Sequence, residues 1–250
     1  ISNKAQGMTY CVGMVLDEGL VCASDSRTNA GVDHVSTFCK MTVVETPGQG
    51  VIVLLNSGNL ATTQQVVSRI KQQAIDSQKP LTSHASMFSV AELVGSELRK
   101  TIHTAVNEAP EQSDVDFSAT FLVGGQVLGE APRLFMVYPQ GNFIESTTDT
   151  PFFQIGESKY GKPILDRVIQ PGISMSQAIK CALVSFDSTI KSNLSVGLPI
   201  DIAMIKTNDL QVTKRHRIDS EDAYFRDLRS RWSQGLRQVF GQLPDPHWIK

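Results

Sequence analysis

Four groups near the start of the chain could do chemistry together: Thr9, Asp25, Lys40 and the Ser57-Gly58 step. A threonine with a free nitrogen carries a hydroxyl nucleophile and an α-amine on one residue, so it can attack a carbonyl without a histidine. The amine, with a reference pKa of about 8, is close enough to neutrality to take the hydroxyl proton. A lysine beside the hydroxyl would ease that proton's departure electrostatically. A backbone N–H at a strand-to-helix corner can hold an oxyanion, and glycine there lets a substrate carbonyl approach. Met8 and seven further residues precede Thr9, so its nitrogen is an amide until they are removed.

Each residue alone has an ordinary explanation. Threonine opens strands because it is β-branched, aspartate ends them as a turn residue, and lysine is usually solvated. Their order raises the odds. Lys40, flanked by Cys39 and Met41 in a run expected to be strand, would need a carboxylate partner if buried, and Asp25 is the obvious one.

The elements that must position them follow from pattern. Residues 9–16 (TYCVGMVL) and 20–25 (LVCASD) are short apolar runs joined by Asp17-Glu18-Gly19, a hairpin signal. Residues 38–45 and 51–57 (VIVLLNS) repeat the pattern around Pro47-Gly48-Gln49-Gly50. VIVLL is apolar throughout, which suits a strand covered on both faces. Helical spacing places Ala61, Val66, Ile70 and Ala74 on one stripe and Met87, Ala91, Val94, Leu98 and Ile102 on another, with Pro80 between them. Strands are expected at 117–123, 134–138 and 142–145, helices at 158–169 and 174–190, strands at 200–206 and 211–217, and a polar helix at about 221–240. Ser174 with Gln177 gives the 174–190 helix a capping-box start. Strands and helices in separate blocks argue for an α+β fold with layered sheets.

Composition bounds the function classes. The chain has 250 residues, 41% hydrophobic and 19% charged, with a formal net charge of −2. That is ordinary globular composition for one large domain. Basic residues are scattered except near the C-terminus, so nothing points to nucleic acid or an anionic membrane. No apolar stretch is long enough to span a bilayer. Cys11, Cys22, Cys39 and Cys181 form no C-x-x-C pair, and five dispersed histidines offer no metal-ligand spacing. No metal or cofactor is expected. Unpaired thiols and the lack of a signal-peptide pattern favour a cytoplasmic location. Residues 1–7 read best as an expression remnant before an initiator Met8, with a short propeptide as the alternative.

The run TYCVGMVLDEGLVCASDSRTNAG, with FCKM and NSGNLA after it, resembles a β-type subunit of the proteasome family. Within that family it is most similar to the bacterial ancestral branch known as Anbu. The resemblance implies a four-layer αββα sandwich of the N-terminal-nucleophile hydrolase type, spanning residues 9–220, with residues 1–8 ahead of it as an expression remnant or leader plus the initiator Met. It implies amide hydrolysis through an acyl-enzyme on Thr9. Lys40 would be the activator, Asp25 the lysine's anchor and Gly58 the oxyanion donor. The bacterial peptidase HslV shares these four types but usually has glycine where this chain has Ser26. Ser158 and Ser195 are candidates for the family's supporting serines, although Glu157 occupies the serine position if Gly156 is matched to the family's G-S-G step.

Residues 221–250 have no counterpart in a minimal β subunit. Arg226, Arg229, Arg231 and Arg237 alternate there with Leu228, Trp232, Leu236 and Phe240, the pattern of a helix covering its own domain or of a subunit contact. The resemblance implies a homo-oligomer, as a ring or open helical ring, acting on peptides or unfolded chains, and it names no ATPase partner. A silent assembly subunit, or an amidase for a small molecule, remains the alternative.

Overall fold

The computed structural model describes residues 9–29, 35–110 and 113–249, so residues 1–8 lie outside it. Two five-stranded antiparallel sheets lie face to face. The first has the order β10-β1-β2-β11-β12, built from β1 (Tyr10–Leu16), β2 (Gly19–Asp25), β10 (Phe152–Gly156), β11 (Ile200–Lys206) and β12 (Lys214–Ile218). The second has the order β5-β6-β7-β8-β9, built from β5 (Met41–Thr46), β6 (Gly50–Gly58), β7 (Ala119–Val127), β8 (Arg133–Val137) and β9 (Phe143–Glu145). A small hairpin, β3 (Arg27–Asn29) with β4 (Val35–Thr37), joins them.

Helices α1 (Leu60–Asp76) and α2 (Met87–Glu108) cover the second sheet. Helices α3 (Lys162–Val168) and α4 (Met175–Ser192) cover the first. The result is the αββα sandwich. Strand β6 shows why its sequence is apolar throughout. Ile52 and Leu54 pack toward the helices, whereas Val51, Val53 and Leu55 pack between the sheets. Successive side chains of a strand point to opposite faces, and here both faces are dry.

Local chemistry sets the element ends. Asn59 accepts a hydrogen bond from the Thr62 amide and starts α1, and Ser174 with Gln177 forms the capping box of α4. Helix α3 starts later than its apolar pattern suggests. Pro163 occupies its first turn, and residues 158–161 form a turn closed by Lys162 N–H donating to Ser158 O at 2.9 Å. Strand β10 and the β3–β4 hairpin were not expected from the sequence. Lys40 is not in a strand either: it immediately precedes β5.

The C-terminal helix α5 (Ala223–Gln242) docks by its first turns. Phe225 and Leu228 join the core beneath α4, and Arg229 Nε donates to the buried Asp187 at 2.6 Å. Farther along, Leu236, Val239 and Phe240 are exposed. Asp222 caps the helix, its Oδ1 accepting from Phe225 N–H at 2.7 Å. That amide, followed by His216, holds the Asp222 carboxyl below its usual pKa. A depressed pKa means the cap contributes above the ordinary aspartate range and is lost as pH falls through the folded value. Asp222→Ala should cost about 1 kcal/mol and lower the melting temperature by about 2–4 °C at neutral pH. The difference from wild type should shrink in acid, and thermal melts across pH check both.

Candidate active site

The site is assembled where β1 begins, β2 ends and β5 begins. Antiparallel pairing puts Cys11 opposite Ser24, so the residues before β1 face the end of β2. Tyr10 N–H donates to Asp25 Oδ1 at 3.0 Å, and Asp25 is fully buried. Lys40 Nζ donates to the same Oδ1 at 2.8 Å and to Arg27 O at 2.6 Å. Lys40 is itself buried. The Asn56 amide and the Asn56 Nδ2 both donate to Lys40 O, each at 3.1 Å, so the end of β6 fixes the lysine's backbone.

Burial pushes the Asp25 carboxyl up, and the Lys40 ammonium pulls it partly back, helped by the amides of Tyr10 and Gly197. Asp25 Oδ2 makes no hydrogen bond of normal geometry. Cys11 lies alongside with its thiol against Asn56 O, and burial, then the Asp25 charge, pushes that thiol up. It is a small buried hydrophobe in this setting.

Thr9 is buried, and its carbonyl accepts from Glu157 N–H at 2.7 Å. Strand β10 makes this possible by pairing Gly156 with Tyr10. Gly156 has φ +82°, and a Cβ there would lie 1.8 Å from Thr9 O and 3.1 Å from Ser57 Oγ. Only glycine fits, and its bareness lets the Ser57-Gly58 step border Thr9. Gly58 ends β6 with φ +111°, where a Cβ would meet Ser118 O at 2.5 Å. Asn59 then opens α1, which makes this the strand-to-helix corner read from the sequence.

Thr9, Asp25, Lys40 and the Ser57-Gly58 step are therefore neighbours. Ser158 and Ser195 stand one step away. Glu157 connects them: its amide holds Thr9 O, its Oε2 accepts from Asn193 Nδ2 at 2.7 Å, and Asn193 Oδ1 accepts from Ser195 N–H at 2.9 Å. Ser158 lines a cleft of about 480 Å³ with Phe152, Gln154, Lys162 and Asp166. Sequence reasoning missed Asn56, the carbonyl of Arg27 and the role of Gly156. For Gly156 a signal existed in the alternation of Phe153 and Ile155 ahead of it.

Asp25→Asn would leave the Lys40 ammonium buried without its counter-charge. Breaking a buried pair from one side costs about 3–5 kcal/mol. The urea midpoint should fall accordingly, and adding Lys40→Met should recover part of the loss. A double variant no more stable than Asp25→Asn alone would mean that the charge is not what Asp25 balances.

Comparison with known proteins bears on this geometry. A family model described as "Proteasome subunit" matches residues 5–205. A proteasome subunit beta from Haloferax volcanii is 23% identical over 214 residues, covering 84% of this chain and 77% of that one. The structure of Anbu (ancestral beta-subunit) from Yersinia bercovieri is 48% identical with a TM-score of 0.89, covering 95% of this chain and 99% of that one. A helical assembly of the Anbu complex from Pseudomonas aeruginosa is 45% identical with a TM-score of 0.86, covering 95% and 98%. The chain belongs to the proteasome subunit family and, within it, to the ancestral β-subunits called Anbu.

Proposed function

We propose that this protein is an N-terminal threonine hydrolase that cleaves amide bonds in peptides or unfolded chains. The observation that carries the reading is the buried Lys40–Asp25 pair, tied through the Tyr10 amide to the residue next to Thr9. An ionised pair inside a sandwich is costly unless it serves a purpose beyond packing, and an ammonium is what a threonine hydroxyl needs to lose its proton. The hydroxyl of Thr9 attacks the substrate carbonyl, and its α-amine takes the proton. The Gly58 N–H holds the oxyanion, and the α-ammonium gives its proton to the substrate nitrogen, which leaves as the product amine, so that an ester remains on Thr9. Water, activated by the same amine, then hydrolyses the ester. The cycle requires the Met8–Thr9 bond to be cut, because the lone pair of an amide nitrogen is delocalised into its carbonyl and takes up no proton.

The test is intact mass after incubation with a peptide epoxyketone, comparing the full chain with a form beginning at Thr9. Ring closure on such a reagent needs both the hydroxyl and the free amine, so one adduct is expected on the Thr9 form alone. Thr9→Ala should abolish turnover of that form without unfolding it, and Lys40→Ala should abolish turnover while lowering the melting temperature, because it leaves the Asp25 carboxylate without its counter-charge. Normal activity in either variant would sink the mechanism. An inert Thr9 form that still assembles would favour a silent assembly subunit.

We further propose a homo-oligomer in a ring or open helical ring, supported by the helical assembly of the Pseudomonas aeruginosa relative. The exposed Leu236, Val239 and Phe240 on α5 fit a subunit contact. Leu236→Asp with Phe240→Asp should lower the mass measured by light scattering, and an unchanged mass would place the contact elsewhere.

A further inference from the structure

Asp201 is a buried carboxylate outside the machinery described above, yet it binds residues on either side of that machinery. It sits on β11, opposite Ser24 of β2 and Arg217 of β12. Its Oδ2 accepts from Ser26 Oγ at 2.7 Å and lies 3.6 Å from the Cys39 thiol, whose nearer acceptor is Met41 O at 3.1 Å. Arg217 Nη1 donates to Oδ1 and Oδ2 at 2.9 and 3.1 Å. Ser26 directly follows Asp25, and Cys39 directly precedes Lys40. The same two segments also meet through Phe38 N–H on Ser26 O at 2.9 Å.

We propose that Asp201 is a positioning residue for the Lys40–Asp25 pair: by holding Ser26, whose carbonyl takes the Phe38 N–H, with the Cys39 thiol beside the same carboxylate, it sets the distance across which the ammonium meets Asp25 and Arg27 O. Strand register does not require it, since β11 pairs with β2 over seven residues from Asp25 to Gly19. A buried carboxylate in a sheet costs stability unless its oxygens are satisfied. Ser26, which satisfies one of them, is the chain neighbour of Asp25, and Cys39 beside it is the chain neighbour of Lys40. Loss of the carboxylate would let the two segments drift, and a shift of about 1 Å at such a site can cost about a hundredfold in rate.

The kinetic arm of the test rests on the threonine-hydrolase reading, and the stability arm does not. In the form beginning at Thr9, Asp201→Ala should lower kcat at least tenfold on a reporter peptide with KM unchanged, since Asp201 touches no substrate. Asp201→Asn keeps an oxygen for Ser26 and should recover part of that loss. In a thermal double-mutant cycle, the loss caused by Asp201→Ala should be smaller in the Lys40→Met background. No hydrogen bond links Asp201 to Lys40, and repeating the cycle with Asp201→Asn, which removes the charge but keeps an oxygen for Ser26, separates coupling through Ser26 from coupling of the two charges. A kcat within twofold of wild type, or additive melting losses, would overturn the proposal. If the wild-type Thr9 form turns over nothing, the hydrolase reading fails and the cycle alone decides the clamp. If Asp201→Ala does not fold, Ser26→Ala takes its place in both arms, and the same outcomes apply.

Discussion

A lysine ammonium and an aspartate carboxylate, both out of water and 2.8 Å apart, are the constraint around which this half of the molecule is organised. Their attraction in a low-dielectric interior is strong, but the hydration each gives up is of similar size. The pair persists only where surrounding dipoles replace that water. Two segments supply them, the Tyr10 amide from β1 and the Arg27 carbonyl from the start of β3, while the Asn56 donors fix the lysine's backbone. Moving either of the first two would leave a buried charge short of a partner. The sandwich is therefore less a container for the site than the means by which distant segments are made to meet.

Several elements were legible because their cause is local. The β1–β2 hairpin follows from two apolar runs around Asp17-Glu18-Gly19. Strand β6 follows from an unbroken apolar run that only a doubly covered strand can use, and the start of α4 follows from its capping box. The pairing of Lys40 with Asp25 was legible for another reason. A lysine between Cys39 and Met41 has few acceptable explanations unless a carboxylate is near.

What was hidden depends on contacts between segments far apart in the chain. Strand β10 has modest alternation, and its place at the edge of the first sheet is set by pairing with β1, about 140 residues earlier. Asp201 looks like any polar residue opening a strand, and its partner Ser26 is 175 residues away. Glu157 follows a glycine whose φ of +82° is invisible in sequence, and its contact with Thr9 O exists only because that glycine has no side chain. The position of Lys40 just before β5 was also illegible, since propensity does not distinguish a strand's first residue from the one before it.

The anchoring of Thr9 has a consequence for how the site could be switched on. Its carbonyl is held by the Glu157 amide, and the next nitrogen, that of Tyr10, is held by Asp25. Both anchors lie on the C-terminal side of the Thr9 Cα. Cutting the Met8–Thr9 bond removes neither, so the residue would keep its place while its nitrogen changes from amide to amine. The surrounding dipoles are set before that change, and groups already fixed in place need no reorganisation when charge develops. On the proposed threonine-hydrolase reading, the scaffold of the site precedes the nucleophile's activation, and one peptide bond separates the two states.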